Sequence, residues 1–407
     1  MSFTVWQGPA VEARIAADLK FIRGPVLELL GKENVHSILL TGGFGRGEGS
    51  VRVVSGEVKV VNDYDIAIVL QAKGRWHYAR LYWKYHNLLE ELAVELAARL
   101  AMKQVDLALK PLSYFTRPAS LKIENYEVKE GHKVLHGEDP CRFMPAWRAK
   151  DIPLFEGTWL FRNRGLGLLL ARLYLTQNGA LADEDRENFF IECNKAQLAM
   201  GDALLLFQQQ YHYRYTERLK IAQTLSVEGV PRGREIVLGY QEALAWKLRP
   251  DDRHSYQPSP QKLWARLASN FCGFFLHFES QRLGQPLASW LDYARAAKPE
   301  DRVNLRTCLG EIIRARSAIT RPNQWRRILL KANRSKNVEV IGLLLTASES
   351  SPERKPCLQR AAQLLGLPPN GDDDAAWLVS TLTTLRLIHP GGEVGRVLKR
   401  FGSKVRK

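Results

Sequence analysis

Residues 36–70, HSILLTGGFGRGEGSVRVVSGEVKVVNDYDIAIVL, constrain the fold of this chain more than any other stretch. The apolar run at 36–40 has the length and boundaries of a buried strand. Gly42, Gly43, Gly45, Gly47 and Gly49 follow at once, with Arg46 and Glu48 among them, so the chain turns sharply there. A second apolar run, 66–70, comes directly after Asp63 and Asp65. Side chains alternate across a strand, so these two carboxylates project to the same side. Two acids on one side, close to a glycine turn, suit a divalent cation held over a phosphate.

A third acid extends the pattern. VDLAL at 105–109 reads as another short buried strand, with Asp106 near its start. Residues 76–103 between the two acid-bearing strands read as one long helix. Its apolar stripe is Tyr78, Leu81, Tyr82, Tyr85, Leu88, Leu89, Leu92 and Leu96. Strand, covering helix and return strand would bring Asp106 beside Asp63 and Asp65. Mg²⁺ takes oxygen ligands and keeps several waters, so a few carboxylates and substrate phosphates suffice to hold it. Two ions bridged by such acids activate an attacking hydroxyl and hold a leaving pyrophosphate.

The order Gly42-Gly43, Asp63-Tyr64-Asp65, Asp106 resembles the signature of the nucleotidyltransferase superfamily that includes DNA polymerase β. The wording GGFGRGE is similar to the glycine motif of bacterial uridylyltransferases that modify a nitrogen-signalling protein. The resemblance spans roughly residues 35–140 and rests on motif order. It implies an α+β chain: an N-terminal nucleotidyltransferase-type mixed sheet with flanking helices, then a mainly helical region. It further implies a Mg²⁺-dependent enzyme, with Mn²⁺ as a substitute ion. Such an enzyme moves a nucleoside monophosphate from a nucleoside triphosphate to an acceptor hydroxyl on a protein, a small molecule or an RNA end. Asp63, Asp65 and Asp106 would be catalytic and metal-binding, and Gly42, Gly43, Arg46 and Lys195 would contact the nucleotide. Lys195 is carried over by analogy of place, because related enzymes use a lysine from a helix beyond the sheet. One departure stands out: residues 44–62 separate the glycines from the first aspartate. SVRVVSGEVKVV alternates like a hairpin with Ser55-Gly56 at its tip, so a β insertion absorbs the difference.

Plainer roles exist for every part. Asp63 could cap a turn, Asp65 could sit at a strand edge, and Asp106 could pair with Lys103 or Lys110. Arg46 and Glu48 could brace the loop as a local ion pair. A non-catalytic nucleotide- or RNA-binding module on the same fold is the alternative function. Three intact acids count against it.

Charge is divided unevenly. Residues 1–140 carry 18 Lys and Arg against 17 Asp and Glu, leaving residues 141–407 with +15 of the chain's +16. A basic surface suits polyanions: triphosphate, nucleic acid or an anionic membrane face. Breaks at Glu138-Asp139-Pro140 and farther on suggest a catalytic domain at 1–140. A helical substrate- or nucleotide-binding domain would follow at 141–300, and a basic helical region at 301–407. Within the helical part, 189–207 forms a helix whose polar exceptions are Asn194, Lys195 and Asp202. YHYRYTERLK at 211–220 interleaves aromatic and basic residues, either to stack a base or sugar or as a half-buried helix face. Trp325, Arg326, Arg327, Lys331, Arg334 and Lys336 form a basic cluster, and 393–407 is a basic amphipathic tail suited to peripheral contact with an anionic surface.

Residues 11–30 read as one or two helices, with Pro25 able to start the second. GHKVLHG at 131–137 reads as a further strand. His132, His136 and Cys141 are the one loose cluster of ligand-type residues that the sequence offers, and a strand end and turn explains them better. The five scattered cysteines read as reduced thiols. No apolar run reaches the ~18 residues of a membrane span, and the first residues lack the pattern of a signal peptide. The expected compartment is the cytoplasm.

Overall fold

The computed structural model describes residues 2–6, 8–117, 121–176, 181–250, 259–297, 334–347, 353–367 and 374–386. Trp325, Arg326, Arg327, Lys331, Cys308, Asp372, Asp373 and the 393–407 tail lie outside the described residues. The architecture is α+β, with a small mixed sheet and flanking helices first and mostly helix afterwards. The chain divides into two compact units. The first comprises Met1–Pro153, Gln208–Leu225 and Gln241–Asp252; the second comprises Leu154–Phe207, Ser226–Tyr240 and Arg253–Lys407.

In the first unit, helix α1 (Pro9–Leu30) is continuous, and Pro25 lies inside it instead of starting a second helix. Ile22, Val26 and Leu27 are buried around that proline. Their burial offsets an internal proline's cost of about 3 kcal/mol. Strand β1 (Val35–Leu40) leads into α2 (Gly42–Gly45), so the expected glycine turn is a single helical turn. The insertion is a hairpin, β2 (Val51–Val54) and β3 (Glu57–Val60), with Ser55 and Gly56 both at positive φ at its tip. Then come β4 (Tyr64–Leu70), α3 (Arg75–Arg99), β5 (Val105–Pro111), α4 (Ser113–Thr116), α5 (Ile123–Gly131) and β6 (Lys133–Gly137).

The four-stranded sheet has the order β5-β4-β1-β6, with β4 parallel to β5 and the other pairs antiparallel. A parallel pair needs a crossover, and α3 supplies it. The sheet has an apolar face on each side. Ile38, Leu40, Ile66, Ile68 and Leu70 join the core that includes Ile15, Leu19 and Ile22 of α1 and Leu81, Tyr85 and Leu89 of α3. Leu39, Ala67 and Val69 face the other way, into a smaller cluster with Phe115, Cys141 and Met144. On α3 the stripe runs as expected except at Leu88, which is exposed. The helix also stops at Arg99, short of the expected 103.

Residues 208–225 return to this unit and are tied to it by two acids. The Glu48 carboxylate accepts hydrogen bonds from Tyr215 N (2.8 Å), Thr216 N (2.9 Å) and Thr216 Oγ1 (2.7 Å). It thereby caps helix α8 (Tyr215–Ala222) from across the chain. Glu127 on α5 accepts from Arg46 Nη1 at 2.7 Å, from the Tyr211 hydroxyl at 2.6 Å and from Arg218 Nη2. Burial alone would push the Glu127 carboxyl up, but the two guanidiniums and the tyrosine outweigh it and hold it below its ordinary value. The 211–220 segment is therefore a half-buried face, with Tyr211 and Arg218 in the interior.

The second unit is helical and includes α6 (Phe155–Leu175), α7 (Asp183–Phe207) and α10 (Pro260–Leu283). Helix α9 (Gly233–Leu248) contributes residues to both units. Phe161 lies between Phe271 and Trp290, with ring centroids at 5.4 and 4.6 Å. The buried Glu279 accepts from Thr158 Oγ1 (2.5 Å), Arg282 Nη2 (2.7 Å) and the Tyr293 hydroxyl (3.1 Å). Its described part also includes the helices Tyr293–Ala296, Arg334–Thr346, Arg354–Leu365 and Asp374–Arg386. No helix among the described residues is long and apolar enough to cross a membrane. Cys141, Cys193, Cys272 and Cys357 are thiols outside any disulfide, and all are buried.

Replacing Glu127 removes the nearest counter-charge of two buried guanidiniums, a change that costs about 3–5 kcal/mol. Glu127→Ala is expected to lower unfolding free energy by that amount in urea titrations. A loss below about 1 kcal/mol would contradict the assigned burial of this network.

Candidate functional site

The sheet topology explains why the acids converge. Strand β1 runs antiparallel to β4, so its C-terminal end lies beside the start of β4. Strand β5 runs parallel to β4, so its start lies there too. The glycine turn, Asp63, Asp65 and Asp106 all sit at that one end of the sheet. Asp65 and Asp106 are direct partners in the register. Carboxylate oxygens of Asp63, Asp65 and Asp106 come within 4.8 Å of one another.

The alternation at 63–65 separates two tasks. Tyr64 is fully buried on the opposite side, where its hydroxyl donates to Asp18 Oδ2 of α1 at 3.0 Å. Its ring meets Phe44 of the glycine turn, with centroids 4.8 Å apart. Thr41 reaches the same place from β1: its N–H and hydroxyl both donate to the Asp65 carbonyl, at 2.8 and 3.1 Å. Strand, turn and acids are thus fixed to each other before any ligand arrives.

Two glycines are required by this fit. Gly42 has a φ of 60°, and a Cβ there would fall on Asp65 Oδ2. A Cβ on Gly45 would sit 2.7 Å from the carbonyl oxygens of both Leu40 and Gly131. Gly43 also lies in the turn, where a Cβ would approach the Glu48 carbonyl to 3.3 Å. Lys133 donates to the Phe44 carbonyl at 3.1 Å and also to that of Gly45, closing the far end of the turn.

The electrostatics of the three acids suit a bound cation. Burial first, then the charges of Asp63 and Asp106, push Asp65 up to about 7 from 3.8. Burial also raises Asp106, opposed by the amide of Gln104, which donates to its Oδ1. Three carboxylates crowded together are unfavourable without a positive charge among them. The donor set is all oxygen and half-buried, which suits a hard divalent cation rather than zinc or copper. Asp65 and Asp106 open onto a cleft of about 250 Å³ on the sheet face that carries Ala67.

The remaining expected residues fall into place differently. Arg46 is buried and engaged by Glu127, and its Nε is 4.0 Å from Glu48. Lys195 is paired with Glu192 at 2.8 Å on α7, in the second unit. A lysine that sequence reasoning missed is Lys247, in the last turn of α9, whose charge acts on Asp65 and favours its ionised form. Ser50 Oγ donates to the Lys247 carbonyl at 2.5 Å and fixes that turn beside the hairpin. Nothing in WKLRP marks the residue; only the return of 241–252 to the first unit does.

His132, Asp139 and Cys141 also offer ligand atoms within 4.8 Å of one another, with Asp139 in place of the expected His136. Their donors are already satisfied locally. Asp139 Oδ1 lies 2.9 Å from His132 Nε2 and accepts from Cys141 N at 2.8 Å, capping the short turn Pro140–Phe143.

No family profile, curated protein or solved structure matches this chain. The geometry therefore carries the functional argument alone.

The proton on Asp65 and a cation compete for the same oxygens. Below about pH 7 divalent-ion affinity is expected to rise up to tenfold per pH unit and then level off. In chelator, the raised carboxyl loses its stabilising contribution as pH rises from about 4 to about 7. Asp65→Asn is therefore expected to be more stable than wild type at pH 8, by roughly a few kcal/mol and with a higher melting point, and equally stable at pH 4. Thermal melts across that range check this; a lower melting point for Asp65→Asn at pH 8 would count against the crowded-carboxylate account.

Proposed function

We propose that this chain is a Mg²⁺-dependent nucleotidyltransferase of the DNA polymerase β-like type. It would move a nucleoside monophosphate from a nucleoside triphosphate to an acceptor hydroxyl, with release of pyrophosphate. One observation carries the reading: Asp65 and Asp106 on two parallel strands, and Asp63 just before the first of them, meet at the end of the sheet where a glycine turn abuts Asp65. Asp63, Asp65 and Asp106 would hold the metal. Bound there, Mg²⁺ supplies charge neutralisation for the triphosphate and for the leaving pyrophosphate.

The chain's own groups account for the rest. Gly42 lacks the Cβ that would fall on Asp65, so a triphosphate would lie against the Gly42–Gly43 turn backbone beside that carboxylate. Lys247 adds a positive charge on the Asp65 side and is the cation of choice for the triphosphate. Asp106, with its ordinary affinity for a proton raised by burial, is suited to take the proton from the attacking hydroxyl. Arg46 contributes indirectly, by anchoring the turn through Glu127. Phosphoryl transfer of this kind depends mainly on alignment and charge neutralisation, which a rigid acid cluster provides.

The test uses purified protein, Mg²⁺, each α-³²P-labelled nucleoside triphosphate and cell extract as acceptor pool. Wild type is expected to give labelled product with at least one nucleotide. Asp63→Ala/Asp65→Ala should lose it by at least about a thousandfold, as expected for removal of the metal-holding pair. Metal-dependent nucleotide binding with no label from any nucleotide would replace this reading with a binding module.

A further inference from the structure

We infer that the cleft running along β5 from Asp106 is the acceptor site, and that it takes a small hydroxylated molecule that is neutral or carries an amine. The inference rests on the transferase reading and adds the acceptor class to it. Its basis is the cleft wall beyond the acids. Asp65 and Ala67 share one face of β4, and Asp106, Ala108 and Lys110 share the same face of β5. The two alanines make a shallow floor directly beyond the metal-type acids, where larger side chains would fill the space. Ala108 is exposed although it lies within a strand of the sheet, because it faces this opening.

Tyr114 and Phe115 of α4 wall the cleft. The Tyr114 hydroxyl is bound to Asn125 on α5, and the buried Phe115 belongs to the core cluster beneath Ala67, so the wall is fixed. At the far end Lys110 lies 3.4 Å from Glu124 and 4.6 Å over the Tyr114 ring. Lys110 lies four residue steps along the strand from Asp106, about 13 Å of travel.

Size and charge together select the ligand. A volume of about 250 Å³ is at or below the lower end of ordinary small-molecule sites. A polynucleotide acceptor also needs a run of cations for its phosphates. The cleft instead sets three carboxylates, Asp65, Asp106 and Glu124, against the single ammonium of Lys110. With a cation neutralising the aspartates, the Lys110–Glu124 pair remains, which suits hydroxyl and amine groups and repels a phosphodiester chain.

In the step itself, the acceptor oxygen bonds to the α-phosphorus of the triphosphate as its proton passes to Asp106. The bond from the α-phosphorus to the bridging oxygen breaks, and its electron pair leaves with pyrophosphate.

The experiment divides the extract by ultrafiltration into small-molecule and macromolecular fractions and offers each to the full-length protein with Mg²⁺ and α-³²P nucleotide. Label is expected in the small-molecule fraction. Ala108→Phe, which fills the cleft, should reduce labelling at least about tenfold while a fluorescent nucleotide still binds with Mg²⁺ as in wild type. Lys110→Ala, at the partly open end, should raise the acceptor concentration needed for half-maximal rate and leave that for nucleotide unchanged. Label confined to protein or RNA, and retained by Ala108→Phe, would overturn the acceptor assignment and leave the transferase reading standing. Absence of label in both fractions would overturn both.

Discussion

The placement of Tyr64 is the constraint on which the rest of this site depends. The side chain sits between two aspartates in sequence and on the opposite face of the strand in space. Its hydroxyl is held by Asp18 of α1 and its ring by Phe44 of the glycine turn. A phenol buried in this way cannot swing out without leaving Asp18 short of a donor in the interior, which costs about 1–3 kcal/mol. Because the strand has period two, fixing Tyr64 inward fixes Asp65 outward. The same ring contact fixes the turn that approaches Asp65. Orientation of the acids is thus a by-product of core packing on the far side of the sheet.

Around that anchor the chain adds polar ties of long sequence separation. Glu127 gathers Arg46, Tyr211 and Arg218, and Glu48 caps α8. These bonds bind the GRGE part of the glycine motif to α5 and to the returning 208–225 segment. Arg46 and Glu48 therefore act chiefly through other partners, with the direct contact between them at 4.0 Å the weakest of the set. The crowding of Asp63, Asp65 and Asp106 is the opposite kind of feature. It is destabilising in itself, and a protein that keeps such crowding at a rigid sheet end gains from a bound cation.

Much of this was legible in the sequence, for physical reasons that differ by residue. The strands at 35–40 and 64–70 announce themselves because both sheet faces are covered there, so they read as continuous apolar runs, and 105–111 does so by its short VDLAL pattern. The long stripe of α3 marks the crossover, and the Ser55-Gly56 tip marks the hairpin. Local chemistry of that kind is written in adjacent residues. Residues 11–30 read as one helix or two, and the choice of one continuous helix through Pro25 was not legible, because it depends on burial against a sheet that the local pattern does not contain. The role of Lys247 was hidden for the same reason, as was the Glu127 network: each joins residues more than 80 positions from their partners. The stretch at 211–220 shows the ambiguity directly. Alternating tyrosines and arginines serve an exposed stacking surface or a buried charged knot equally well, and only tertiary packing decides between them.

The central claim is that the three aspartates hold divalent cations against a nucleotide. The most direct measurement is anomalous diffraction at the manganese edge from crystals grown with Mn²⁺ and a nonhydrolysable nucleoside triphosphate analogue. The account predicts anomalous density at coordination distance from Asp63, Asp65 and Asp106, with the analogue's phosphates between it and the Gly42–Gly43 turn. Nucleotide bound elsewhere, with no manganese at the three carboxylates, would contradict it.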